Sequence, residues 1–371
     1  MYNIFRNIKK TDIFLVIICA LISFISIFLL YSITDSFPVN RKIVIVHVVV
    51  SIIGIVLSLI ISSIDYHIIA NLWKIYIPAS LFLVMLTFFF GYTRLGADDK
   101  AWIMLPFGRS FQPSEFMKIT FILSLALHIS SVHDEINKFK NIILLLIHGA
   151  IPIIIIHLQG DDGTALIFVI IFISMIFCTG ISWKFIMGGL GAAITLSPII
   201  WRILNQDQKN RIFTTFHPEL DPNGYGYQQF NGLISIGNGG LTGKGLLSDR
   251  FTYVPEVHND FIFSFIGQAF GYIGTVIILI LLAIISTRIL FNSLKASDYL
   301  GKFICVGVFG MITSQIILNI GMNLSILPVV GITLPLLSSG GSSILTIYIG
   351  IGLVLSVFTL NNKSIFYKRG L

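Results

Sequence analysis

The sequence predicts an all-α polytopic membrane protein with about ten transmembrane helices and two long outer loops. Three observations predict it. Of 371 residues, 55% are hydrophobic and only 11% are charged, where a soluble domain carries roughly a quarter charged residues. The mean hydropathy is +0.92. Apolar runs also recur at about the 20 residues needed to cross a hydrocarbon core.

The first run, 12–33, has no small-residue cleavage site behind it and reads as an anchor. Runs at 43–63 and 75–92 follow across short connections, so neighbouring helices are antiparallel. A long loop, about 91–114, then carries Arg94, Asp98, Asp99 and Arg109. The next span, 115–131, opens within FQPSEFMK and places Glu115 and Lys118 on one helical face. A cation at membrane depth is costly unless paired or functional, so a buried pair and an anion site are both open readings.

Spans at 141–158 and 164–180 flank QGDDGTAL, where Asp161 and Asp162 are adjacent. Two such carboxylates would hold a divalent cation (Mg or Mn) if they converged, but adjacent loop side chains often point apart. A seventh span, 185–204, leads into the second long loop, about 205–260. The last spans are 261–287, 303–322 and 341–360. Between the final two, Pro328, Pro335 and Gly340–Gly341 predict a broken helix and a re-entrant turn lining a cavity. Its hydroxyls, Ser338 and Ser342 among them, are candidate sugar contacts or packing groups.

An even number of spans puts both termini on one side, and the short loops on that side hold most of the lysines and arginines, including Lys74, Lys138, Lys184 and Lys302. Both termini are therefore expected to be cytoplasmic. Cys19, Cys178 and Cys305 lie far apart inside apolar runs and read as small buried hydrophobes. The stretch ISIGNGGLTGKGL (234–246) is not a nucleotide loop: Asn238 stands where a glycine is required, and Gly245 where a hydroxyl is. It reads as a flexible backbone, with phosphate contact through Lys244 as the sharper alternative. No nucleic-acid motif is present.

Residues 254–263, VPEVHNDFIF, set Glu256, His258 and Asp260 at the lip of an apolar span. An aspartate before a helix is a favoured cap, worth about 1 kcal/mol. It would also stay ionised there, as a general base must. The residues alone leave both readings open.

FQPSEFMK, QGDDGTAL, DPNGYGYQQFNGLISIGNGGLTGKG with VPEVHNDFIF, and NIGMNLSILPVVGITLPLLSSGGSS together resemble the SEDS family of membrane glycosyltransferases, its elongation branch most of all. The resemblance runs over nearly the whole chain as one integral membrane domain. It implies polymerisation of peptidoglycan strands from lipid II at the periplasmic face of the bacterial inner membrane. The donor would be a glycan on undecaprenyl pyrophosphate. The partners would be a class B penicillin-binding protein and the elongation machinery. The family's catalytic aspartate falls on Asp260. Substrate-binding roles would fall to Lys118, Glu115, Arg94, Arg109, Lys244, Glu256, His258, Asp161, Ser338 and Ser342.

The chain departs from the family pattern at Gly160 (usually proline), Gln268 and Ala269 (often glutamates) and Ser339 (usually aromatic). Two alternatives stand beside the enzyme: a lipid II flippase, and a septal paralogue. A transporter places ionisable groups near the midplane at helix breaks. Here the carboxylates gather at one face, which favours surface chemistry.

Overall fold

The computed structural model describes residues 11–93, 100–105 and 109–369. Helix α1 (Ile13–Ser36) is followed by α2 (Lys42–Ser63), a short α3 (Tyr66–Asn71) and α4 (Trp73–Phe90). A hairpin of β1 (Ile103–Leu105) and β2 (Arg109–Phe111) then leads into α5 (Pro113–Val132) and α6 (Phe139–Leu158). Next come α7 (Asp162–Phe177), α8 (Trp183–Ile203), α9 (Gln206–Phe216) and α10 (Tyr227–Asn238). The chain closes with α11 (Ile262–Leu294), α12 (Tyr299–Asn323) and α13 (Gly341–Arg369).

Nine described helices are long and apolar enough to cross a membrane, and α7 is a shorter apolar tenth. Each expected span therefore has its helix. The second long loop is more ordered than its composition suggests, because α9 and α10 fold within it. Helix α9 starts with a capping box between Asn205 and Gln208, which satisfies two otherwise orphaned amides.

Helices α12 and α13 form the centre, each 78% buried over its apolar window. Helix α13 lies along α2, while α12 packs against α11, α7 and α5. At the far end from VPEVHNDFIF, charged links tie the helices. Arg288 of α11 holds Asp12 at 2.7 Å, before α1. His67 bridges Asp65 at 2.8 Å and Asp298 at 2.6 Å, and Asp298 itself caps α12 through the Gly301 amide.

Helix α11 is broken. Gly271 has φ 66° and ψ −165°, which interrupts its hydrogen-bond ladder. An open backbone group costs several kcal/mol in hydrocarbon. The glycine-rich stretch after α10 fills the gap. The Lys244 and Gly245 amides donate to the Gln268 and Ala269 carbonyls at 3.0 and 2.9 Å, and the Tyr272 and Ile273 amides donate to the Gly240 and Leu241 carbonyls at 2.9 and 3.1 Å. A β-carbon on Gly243 would meet the Ala269 oxygen at 2.2 Å, and one on Gly271 the Gly243 nitrogen at 2.4 Å. The expectation of a plain flexible loop is thus corrected: these glycines let a clasp reach a helix break.

Candidate active site

The VPEVHNDFIF segment folds as a tight turn before α11. Glu256 sits in the left-handed region at φ 54°, and its carbonyl accepts from the Asn259 and Phe261 amides at 2.9 and 3.2 Å. The N-cap position of α11 is Phe261, which makes no side-chain cap. Asp260 lies one residue further out, partly buried. Its backbone carbonyl accepts from Asn319 Nδ2 and Asn323 Nδ2, both at 2.8 Å.

These two asparagines, four residues apart on α12, are fully buried. Asn323 Oδ1 accepts from the Ser264 amide at 3.1 Å and its hydroxyl at 2.7 Å. It therefore caps α11 from another helix and fixes the peptide of Asp260 at once. Neither asparagine was singled out from sequence. The available signal was an amide pair at helical spacing inside an apolar span, where polar groups seek partners on neighbouring helices.

The predicted helix break is present: residues 325–340 run without helix between α12 and α13. It is the hub of the site. Asn319 Nδ2 also donates to the Ile332 carbonyl at 2.7 Å. Gly331 has φ 68°, and a β-carbon there would lie 3.7 Å from Asp260 Oδ2, so the carboxylate rests against this turn. Ser338 Oγ donates to the Asn259 carbonyl at 2.6 Å, and Ser339 Oγ to Asn259 Oδ1 at 2.5 Å. The Ser339 amide donates to the His258 carbonyl at 2.9 Å. Ser339, where an aromatic was expected, thus joins the two segments.

The structure brings Asp260, Glu256, His258 and Ser338 together. Glu256 Oε2 accepts from Asn259 Nδ2 at 2.6 Å, and the same amide lies 3.2 Å from His258 Nε2. Ser342 is buried in the first turn of α13, one residue before Ser343, whose hydroxyl meets Thr333 at 3.1 Å.

Asp161 lies on the other side of the hub. It caps α7 through the Thr164 amide at 2.9 Å, and its second oxygen accepts from Gln112 at 2.8 Å. A β-carbon on Gly163 would strike the Val330 carbonyl at 2.2 Å, so α7 begins in direct contact with the turn that faces Asp260. Gly160 has φ 84°, which a proline ring is unable to adopt. The turn before Asp161 is therefore built differently from the family pattern.

Asp162 turns elsewhere, to His157 and Gln208 at 2.5 Å each. Asp161 and Asp162 thus hydrogen-bond to different neighbours. Among the described residues no three His, Cys, Asp or Glu side chains gather for a metal.

Gln112 leads into α5, where Lys118 is fully buried and ion-paired to Glu115 at 2.8 Å. Lys244 sits at the helix-break clasp, with its ammonium on the Arg250 carbonyl at 2.8 Å. Arg94 lies outside the described residues, as does the side chain of Arg109, whose backbone begins β2.

The fold and site define a multi-pass membrane protein with an acidic group held at one end of its helical bundle, beside a non-helical turn. The FTSW_RODA_SPOVE family of cell cycle proteins matches residues 9–363, and the chain belongs to that family, the SEDS proteins. Stage V sporulation protein E of Bacillus subtilis is 34% identical over 372 residues, covering 94% of this chain and 98% of its own. MrdB of Escherichia coli K12, named a peptidoglycan glycosyltransferase, is 33% identical over 75% of this chain and 77% of its own. An FtsW of Geobacter sp. strain M18, named a probable peptidoglycan glycosyltransferase, is 32% identical over 80% and 81%.

Among solved structures, a chain of a peptidoglycan synthase complex that coordinates polymerization and crosslinking superposes with a TM-score of 0.79. It is 26% identical and covers 94% of this chain and 97% of its own. The rod shape determining protein RodA of Thermus thermophilus gives 0.69 at 25% identity, covering 94% and 96%.

Proposed function

We propose that this chain is a peptidoglycan glycosyltransferase that polymerises glycan strands from lipid II, with Asp260 as its general base. The observation that carries the reading is the fixed backbone of Asp260. Two buried asparagines hold its carbonyl, and Phe261, not Asp260, occupies the cap position. An aspartate whose backbone is held with that much support suits chemistry.

In the reaction, the 4-hydroxyl of lipid II's GlcNAc attacks the anomeric carbon of the donor strand. Asp260 takes the hydroxyl proton as the new C–O bond forms, a contribution of about 10²–10⁴ in rate. The bond to undecaprenyl pyrophosphate breaks, and the lipid leaves with the electron pair. Direct displacement inverts an α-linked donor to a β-linked product, so one carboxylate is enough. The N-terminus of α11 favours the ionised aspartate. Arg94 and Arg109 are the cations we assign to the leaving pyrophosphate.

We further propose that the active face is the outer face of the bacterial inner membrane, with both termini cytoplasmic. The role is cell elongation beside a class B penicillin-binding protein. Likeness to MrdB and to the synthase complex supports this, while the FtsW and sporulation relatives mark the alternatives. The test is to place the purified chain, with its cognate penicillin-binding protein, in liposomes carrying labelled lipid II. Glycan strands on a gel support the reading. Lipid II crossing the bilayer without polymer would replace it with a flippase.

A further inference from the structure

A groove of about 870 Å³ lies beside the clasp, at the end of the bundle that carries VPEVHNDFIF. Ile27, Phe28 and Tyr31 of α1, Val44 of α2, Leu247 and Phe270 line it. Phe28, Tyr31 and Leu247 are 47%, 50% and 84% exposed, so this apolar wall faces outward, where lipid would meet it. Ser32 pins the loop to α1 by donating to the Leu246 carbonyl.

The groove also has a charged rim. Lys244 lines it and has no carboxylate partner among the described residues. It gives one N–H to the Arg250 carbonyl, and an ammonium has three. The aromatic cluster of Phe37, Phe251, Tyr253 and Phe265 stands behind, with ring centroids 4.8–6.5 Å apart. Asp260 is not among the residues that line the groove; its carboxylate rests by Gly331 and its carbonyl on α12.

We propose that this groove binds an anionic bilayer phospholipid, one whose headgroup carries a single net negative charge on its phosphodiester. The acyl chain lies along Phe28, Tyr31 and Leu247, and the phosphate rests on Lys244. One ammonium matches one negative charge, whereas a pyrophosphate-linked lipid carries two and calls for more cations. The backbone of Lys244 is also part of the clasp, since its amide holds the Gln268 carbonyl. A lipid on this side chain therefore steadies the break in α11. The site is separate from the transfer reaction and does not depend on it.

The test uses the full chain in detergent, with phosphatidylglycerol and phosphatidylcholine of identical acyl chains as probes. Native mass spectrometry reads lipid retention, and thermal unfolding reads the clasp. The wild type should retain phosphatidylglycerol over phosphatidylcholine by about fivefold, as one interfacial lysine provides, and only phosphatidylglycerol should raise the unfolding midpoint. Lys244→Gln should abolish the preference and the midpoint rise together. Ile27→Trp, which fills the groove but keeps the charge, should weaken retention of both lipids. A wild type without preference, or a preference that survives Lys244→Gln, would overturn the proposal. So would one-for-one displacement of phosphatidylglycerol by undecaprenyl pyrophosphate, which would give the groove to the substrate lipid.

Discussion

Asn323 donates to the carbonyl of Asp260 at 2.8 Å while its own oxygen accepts from the Ser264 amide at 3.1 Å. One side chain therefore sets both the start of α11 and the position of the carboxylate next to it. Asn323→Ala would leave the Ser264 amide only the Phe261 carbonyl, take the acceptor from the buried Ser264 hydroxyl and remove one of two donors to Asp260. Leaving a buried group unsatisfied costs roughly 1–3 kcal/mol. The expected outcome is a lowered melting temperature together with at least about a tenfold loss of polymer formation. Thermal unfolding and strand synthesis on the same preparations check both.

The clasp at Gly271 makes a prediction about stability alone. A side chain there must adopt a left-handed φ and meet the Gly243 backbone at 2.4 Å. Gly271→Ala should cost on the order of 2 kcal/mol or more. Unfolding in detergent, compared with Gly188→Ala in the open α8 helix, checks this. Gly188 has nothing within 4 Å of its added β-carbon and should show little change.

Lys118 and Glu115 form a buried pair in α5. Removing one partner of such a pair costs roughly 3–5 kcal/mol, whereas replacing both with apolar groups is often near neutral. Lys118→Met should therefore be strongly destabilised. The double variant Glu115→Leu with Lys118→Met should recover most of the melting temperature. If the stable double variant still makes no polymer, the ammonium has a role beyond its partner.

His67 offers a pH test at the opposite end. Its partial burial disfavours the charged ring, but the hydrogen bonds and charges of Asp65 and Asp298 outweigh this and raise its pKa above 6.5. A raised folded pKa means the stabilisation is complete below the unfolded value and is lost as pH rises through the folded one. The melting temperature of the wild type should therefore exceed that of His67→Gln most below about pH 6.5, the unperturbed value. The gap should narrow as the pH increases. A gap independent of pH would show that the contact works without charge.

What could be read from sequence followed from local physics. A run of about 20 apolar residues is a spanning helix whatever surrounds it, so every expected span has its helix, although the helices from Ile262 and Gly341 run on past the expected ends to Leu294 and Arg369. The break before α13 was legible in Pro328, Pro335 and Gly340–Gly341, because those residues interrupt a helix by themselves. The clasp was not legible. Gly239 and Gly243 look like flexibility until Gly267 and Ala269 are found against them. The same holds for Asn319 and Asn323, whose targets are backbone carbonyls supplied by distant turns. The departures at Gly160 and Ser339 could be seen as departures, but only the backbone angle at Gly160 and the bond from Ser339 to Asn259 give them a physical meaning.

The central claim is that Asp260 takes the proton of the attacking hydroxyl. The most direct test compares Asp260→Asn with the wild type, each with its penicillin-binding partner and labelled lipid II, by strand length on a gel. Asparagine keeps the size of the side chain and the backbone held by Asn319 and Asn323, so the melting temperature should hold. Unfolding should be unchanged and polymer reduced by about 10²–10⁴. Equal polymer from both proteins would contradict it and leave Asp260 as part of the turn alone.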